Sequence, residues 1–183
     1  MGANVAKVPG GDDYDATKEQ QFGNAANVIG TNDSSKLNVF TSRTLGMAEG
    51  RHLKASDKYT SMIHEDLAKA NGLKVGDTLT LKANAYDADN ESHSTATVKT
   101  TIVGIFKGDS ARKVSSRAEL TANTIYTDLD TTRDLYQYKD GKEIYQDAHL
   151  SCCPRAFDVE KTMDAARKRP GGLGNYQITP QRP

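Results

Sequence analysis

Apolar and polar side chains alternate most clearly over Thr78 to Lys82, where Leu79 and Leu81 fall on one face of a predicted β-strand. A polar stretch over residues 86–94 follows, and an apolar-rich stretch over residues 95–106 comes after it. Two strands joined by a polar tip are typical of an antiparallel β-hairpin. The pattern therefore predicts a long hairpin over residues 78–106.

A short helix is predicted over Glu65 to Asn71, because acidic residues occupy its first turn and Gly72 follows its last residue. Glycine at that position can adopt the left-handed conformation that ends a helix. His64 and the two acids after it are interpreted as the start cap. Similar patterns predict strands over residues 25–30, 39–40, 59–63, 124–127, 144–151 and 175–179, and helices over residues 130–136 and 158–169.

Strands and helices mixed along the whole chain indicate an α+β fold with a mixed, mainly antiparallel sheet, a long β-hairpin and two or three short helices. Residues 1–22 are polar and rich in Gly, Asp and Gln, which predicts a flexible N-terminal segment. We expect one folded domain, or two small lobes, over residues 23–179, and a tail over residues 180–183.

Charge excludes one broad class of partner. The chain has 24 Lys and Arg against 24 Asp and Glu, so its formal net charge is zero. Nucleic-acid binding depends on a basic surface, so a nucleic-acid partner is not expected.

No window reaches the roughly 18 consecutive apolar residues of a membrane-spanning helix. The opening Met-Gly-Ala-Asn lacks the basic start and apolar run of a secretory signal.

No constellation in the sequence is typical of an active site. The histidines His52, His64, His93 and His149 are scattered and lack metalloprotease spacing. The acids of residues 87–91 lack the central glycine and final glutamate of a calcium loop, and are interpreted as a solvated hairpin tip. Nucleophile-elbow and nucleotide-binding motifs are also missing. We therefore predict no catalytic, cofactor-binding or metal residues, and a protein that is not an enzyme.

The only cysteines, Cys152 and Cys153, are adjacent and cannot close a long loop by a disulfide. Two thiols without histidine or carboxylate partners at ligand spacing do not make a zinc site. We interpret them as thiols in or beside a strand, and leave a redox or intermolecular role open.

Five stretches together resemble the extracytoplasmic domain of FtsX-like (MacB-type) ABC transporter permeases. They are Glu49–Leu53 (Glu-Gly-Arg-His-Leu), Ile63–Asp77 (ending Asn-Gly-Leu-Lys-Val-Gly-Asp), Val103–Phe106 (Val-Gly-Ile-Phe), Asn123–Tyr126 (Asn-Thr-Ile-Tyr) and Asn175–Ile178 (Asn-Tyr-Gln-Ile). Their order and spacing carry the resemblance, which extends over roughly residues 25–179.

The resemblance implies a non-catalytic domain outside the cytoplasmic membrane, between the first and second membrane helices of a permease. It implies a cytoplasmic ATPase as indirect partner, and export of a peptide, antibiotic or lipoprotein, or contact with an extracytoplasmic protein or peptide. The chain would then begin where a segment was excised from a longer protein. The hairpin tip at residues 87–94 is the first surface on which we would expect a contact.

Two other functions remain open from the sequence. A secreted or surface-attached module for cell-wall polymer would need exposed aromatic side chains, for which Tyr126, Tyr136, Tyr138 and Tyr145 are candidates. A hydrolase whose residues converge only in three dimensions is the other alternative.

Overall fold

The computed structural model describes residues 2–9, 25–83, 96–108 and 121–137. The chain divides into two compact units, residues 1–139 and 140–183, and every described residue belongs to the first. All structural statements below concern these described residues.

Seven strands form one sheet in the order β3-β6-β4-β7-β2-β1-β5. Their bounds are β1 (Gly2–Asn4), β2 (Ala25–Gly30), β3 (Gly46–Gly50), β4 (Thr60–His64), β5 (Thr78–Ala83), β6 (Thr97–Lys107) and β7 (Thr124–Thr127). The helices are α1 (Asn38–Thr41), α2 (Glu65–Asn71) and α3 (Leu129–Tyr136), with 3-10 turns at Ser34–Lys36 and Thr121–Asn123.

The sheet is mixed and mainly antiparallel. The β2–β7 and β4–β6 pairs are parallel, and the other strand pairs are antiparallel. The β5–β6 hairpin runs in register from the Thr78–Thr101 pair to the Lys82–Thr97 pair. Strand β6 therefore pairs with β3, the first strand of the order, and also with β5, the last. The predicted fold class is therefore confirmed. The hairpin tip at residues 87–94 lies outside the described residues.

Two apolar clusters lie on opposite faces of the strands. Successive residues of β4 and β7 alternate between them: Ile63 and Ile125 join the larger cluster, while Met62 and Tyr126 join the smaller one. This is the period-two pattern of side chains along a strand. Helix α2 contributes Leu67 and helix α3 contributes Leu135 to the larger cluster, and α1 contributes Phe40 to the smaller one.

Several predicted elements are confirmed, including the residues at which they begin and end. Strands β2 and β7 and helix α2 have the predicted bounds. Gly72 has the left-handed conformation that the sequence predicted, with φ of 64°. Helix α3 begins one residue earlier than predicted, at Leu129, because Asp128 is its N-cap. The elements predicted over residues 144–151, 158–169 and 175–179 lie outside the described residues.

The strand predicted at residues 39–40 is wrong. These residues belong to the single turn α1, in which the N–H of Thr41 donates to Leu37 O at 3.0 Å. Phe40 is buried by this turn against the rings of Phe106 and Tyr126. Two adjacent apolar residues carry no periodicity that distinguishes a strand from a helical turn.

The prediction of a flexible segment over residues 1–22 does not hold for residues 2–9. Strand β1 lies between β2 and β5 in the sheet, and Ala3, Val5 and Val8 are buried. Three residues are too short a strand to give a recognisable alternation, so its partners, far along the chain, determine its place. Residues 10–24 lie outside the described part of the chain.

Candidate functional site

Three of the stretches that resemble the permease family meet on one short piece of β6. The N–H of Arg51 donates to Val103 O at 2.9 Å. In the turn after α2, the N–H of Gly76 donates to Ile102 O at 2.7 Å, and Asp77 O accepts the N–H of Ile102 at 2.9 Å. Two segments about 25 residues apart in sequence thus bond adjacent residues of β6, Val103 and Ile102, and we call this arrangement the landmark junction.

Close backbone packing at the landmark junction requires glycine. A side chain at Gly104 would collide with the carbonyl oxygen of Arg51 and would lie 2.8 Å from Met47 Cε. A side chain at Gly50, where φ is +74°, would collide with the carbonyl oxygen of Val103. The glycines of the Glu-Gly-Arg and Val-Gly-Ile-Phe stretches therefore let the end of β3 lie directly against β6.

Arg51 closes a small loop beside the junction. Its guanidinium donates to both carboxylate oxygens of Asp57, at 2.7 and 2.9 Å, and to His52 O at 2.9 Å. The Asp57 carboxylate also accepts the N–H of Lys54 at 2.9 Å. Hydrogen bonding to Arg51 is the main reason that the pKa of Asp57 lies below its ordinary value. A fork-shaped pair of this kind fixes the loop geometry.

His64 is a structural cap, as the sequence predicted. Its ring is fully buried; Nδ1 accepts the N–H of Asp66 at 3.1 Å, and Nε2 lies 3.0 Å from Gly108 O. A neutral imidazole protonated on Nε2 satisfies both contacts. The ring therefore joins the start of α2 to the end of β6, and neither nitrogen faces a substrate.

A serine–histidine contact, which sequence spacing did not reveal, lies beside the smaller apolar cluster. Ser34 Oγ is 3.0 Å from His52 Nδ1 and 3.1 Å from Met62 Sδ, and it accepts the N–H of Leu53 at 3.0 Å. The Ser34 side chain is completely buried. Burial lowers the pKa of His52, partly opposed by the charge of Asp33. A serine enclosed in this way ties the loop to β4 and cannot reach a substrate as a nucleophile.

Two of the four aromatic candidates for polymer binding are buried. Tyr126 and Tyr136 are buried, and burial raises the pKa of Tyr126 to about 12. Tyr138 and Tyr145 lie outside the described residues. Tyr59, which the sequence did not single out, is 44% exposed, and its hydroxyl donates to Asp134 Oδ2 at 2.6 Å. This bond is the main reason that the pKa of Tyr59 is raised.

The acidic corner at residues 128–130 is structural. Asp128 caps α3, and Asp130 pairs with Arg133 at 2.9 Å and with Lys58 at 3.3 Å. Within the described ranges no three His, Cys, Asp or Glu side chains are placed to hold a metal ion. The acids of residues 12–15 and 87–91, together with His93, His149, Cys152 and Cys153, lie outside those ranges.

A surface groove of about 420 Å³ runs along the outer side of β5. The N-terminal segment, the end of α2 and the hairpin line it, with Ala6, Asn71, Leu73, Thr80 and Lys82 among the contributing residues. Its lining side chains are aliphatic and hydroxylic, with the amide of Asn71 and the ammonium group of Lys82. That set offers contacts to a ligand and no acid–base pair for catalysis.

The chain matches no protein-family model, and the search of curated proteins returned no similar sequence. In the described part of the chain, none of the helices combines the length and the apolar character that crossing a membrane requires.

Proposed function

We propose that this chain is the extracytoplasmic domain of an FtsX-like (MacB-type) ABC transporter permease. The domain itself performs no catalysis. It couples ATP hydrolysis by a cytoplasmic ATPase, through the membrane helices, to export of a peptide, antibiotic or lipoprotein, or to an extracytoplasmic protein or peptide. The observation that carries the proposal is the landmark junction, where the separate stretches of the resemblance become one structural unit.

The junction supports the proposal because each of the three stretches that meet there has a specific local task. Gly50 and Gly104 permit close packing, Arg51 closes the loop with Asp57, and Gly72 ends α2. Chance similarity of isolated turn sequences would not require the stretches that contain Arg51 and Gly76 to bond adjacent residues of β6. The buried positions of Tyr126 and Tyr136 leave the polymer-binding alternative with less support.

The proposal is tested by purifying the product of the complete reading frame, with a C-terminal tag, from the membranes of its source cell. We expect it to resist alkaline carbonate, which strips peripheral proteins, and to copurify with a protein that hydrolyses ATP. As a control, the same membranes are prepared from cells that express the untagged gene. Recovery of the product from the medium or the cytosol, without an ATPase, would contradict the proposal.

A further inference from the structure

The side-chain amide of Asn71, the last residue of α2, holds the N-terminal segment of the chain. Its Oδ1 accepts the N–H of Lys7 at 2.9 Å, and its Nδ2 donates to Lys7 O at 2.8 Å. The same Nδ2 donates to Leu67 O, one helical turn back, at 2.9 Å. We call this arrangement of Asn71, Lys7 and Leu67 the Asn71 clasp. It joins residues that are 64 positions apart in sequence.

The clasp adds backbone hydrogen bonds to a segment whose other described contacts are apolar. Val5 and Val8, on either side of Lys7, are buried, whereas Lys7 itself is exposed. The register of β1 with β5 ends at Asn4, so no ladder to β5 extends over residues 5–8. At Lys7, the side-chain amide of Asn71 takes the place of the hydrogen-bonding partner that a neighbouring strand would provide, since it both donates to and accepts from the backbone of Lys7.

Asn71 is also the residue of this chain most prone to spontaneous chemical change. It precedes Gly72, and this is the only Asn-Gly pair in the sequence. Without a side chain on the following residue, the backbone nitrogen of Gly72 can approach Asn71 Cγ. The Gly72 nitrogen loses its proton and forms a bond to Cγ, while the Cγ–Nδ2 bond breaks and ammonia leaves. Water then opens the resulting succinimide ring to aspartate or isoaspartate, with no oxidant or enzyme required.

The folded structure restrains this reaction. The N–H of Gly72 donates to Lys69 O at 3.3 Å, so the attacking nitrogen is engaged in the helix end. The three hydrogen bonds of the clasp direct the Asn71 side chain back toward Leu67 and Lys7. Attack on Cγ therefore requires that the clasp and the last turn of α2 open together.

We propose that Asn71 is a self-modification site, and that its deamidation irreversibly releases the N-terminal segment. Aspartate has no N–H to give to Lys7 O or Leu67 O, and its charge would face both carbonyl oxygens. The new negative charge also lies at the helix C-terminus, where the backbone carbonyls disfavour it. Modified molecules thus retain the sheet but expose residues 5–9, next to the groove along β5.

The test follows the intact protein during incubation at neutral pH, by peptide mass spectrometry for Asn71 conversion and by amide hydrogen exchange for residues 5–8. We expect conversion to be much slower in the folded protein than in urea. In the converted fraction, amide exchange of this segment should accelerate about tenfold or more, as expected for loss of one hydrogen bond to a backbone carbonyl. An Asn71→Asp variant should show the faster exchange from the start.

Two controls keep the result interpretable. Gly72→Ala places a methyl group beside the attacking nitrogen and should slow conversion; no atom lies within 4 Å of the methyl group, but alanine is strained at the φ of +64°. Its exchange at residues 5–8 is therefore measured before incubation and compared with the wild-type rate. Asn32→Asp changes an exposed amide in the loop after β2 to a carboxylate, and should leave exchange of residues 5–8 at the wild-type rate. Equal conversion rates in folded and unfolded protein, or unchanged exchange after conversion, would overturn the proposal.

Discussion

The carboxylate of Asp128 accepts the backbone N–H of Thr60, 68 residues earlier in the chain, at 2.7 Å. The same side chain caps α3 by accepting the N–H and the hydroxyl of Thr131, at 2.9 and 2.7 Å. Asp128 is 3% exposed, so these bonds are shielded from water. One buried carboxylate therefore fixes both the start of β4 and the start of α3.

Asp128→Ala should lower the free energy of unfolding by about 2–4 kcal/mol, because it removes a helix cap and leaves the N–H of Thr60 without its acceptor. Urea unfolding measures the effect. Asp130→Ala is the matched control two residues later, where two partly exposed ion pairs are lost and the cost should stay below about 1 kcal/mol. Equal costs for the two variants would show that burial of Asp128 has no special role.

The pair formed by Arg51 and Asp57 predicts a dependence of stability on acid pH. The pKa of Asp57 is lowered in the folded state from an ordinary value of 3.8, chiefly by hydrogen bonding to Arg51. Its unfolded form therefore binds a proton at higher pH than its folded form. The pair stabilises the fold fully above the unfolded pKa, and this contribution is lost as pH falls through the folded pKa.

Asp57→Asn should consequently cost about 1–2 kcal/mol at neutral pH, since a neutral amide replaces a charged hydrogen-bond acceptor. The difference from the wild-type protein should shrink as the pH falls below about 4. Unfolding free energies of both proteins between pH 2 and 7 check this. A difference that stays constant over this range would mean that the charge of Asp57 is unimportant.

Gly104 should tolerate no side chain. Gly104→Ala places a methyl group against the carbonyl oxygen of Arg51 and 2.8 Å from Met47 Cε, and we expect a loss of about 1–3 kcal/mol or more. Gly46→Ala is the control on the neighbouring strand, where no atom lies within 4 Å and the change should stay within about 0.5 kcal/mol. The reverse order of stabilities would show that close packing at the landmark junction is not required.

His52 should titrate below its ordinary pKa of 6.5, because burial disfavours the imidazolium. The unfolded chain then binds the proton first, so stability falls as the pH drops from about 6.5 to the folded pKa and the loss stops below it. Chemical shifts of the His52 ring measure the titration. Asp33→Asn removes an opposing charge and should lower the pKa further; an increase would contradict this account.

Local sequence signals were sufficient to predict elements that are marked by capping residues or by alternating apolar residues. The acids at the start of α2 and Gly72 at its end predicted that helix with correct bounds, and the alternation of Leu79 and Leu81 predicted β5. Residues 39–40 were predicted wrongly because two apolar residues carry no periodicity, and β1 was missed because its place depends on partners distant in sequence. The residues of a short apolar segment do not by themselves indicate which distant strands it will pair with.

The same limit applies to the candidate site. Sequence order suggested that Arg51, Gly76 and Gly104 belong to one pattern, but their common contact region on β6 depends on strand register. The contact of Ser34 with His52 and the clasp between Asn71 and Lys7 join side chains to distant segments, and no spacing rule predicts them. His64 is the exception, because a cap acts within three residues of its own position.

The central claim, that this domain lies outside the cytoplasmic membrane, is tested most directly by surface labelling of the complete protein in intact cells. With Cys152 and Cys153 replaced by Ser, Lys69→Cys places a thiol at a position whose present side chain is 69% exposed. Ala68→Cys, on the buried side of the same helix, is the matched control. The account predicts that a membrane-impermeant maleimide labels the Lys69→Cys protein, but not the Ala68→Cys protein, before lysis. Labelling of Lys69→Cys only after the cells are broken would contradict it.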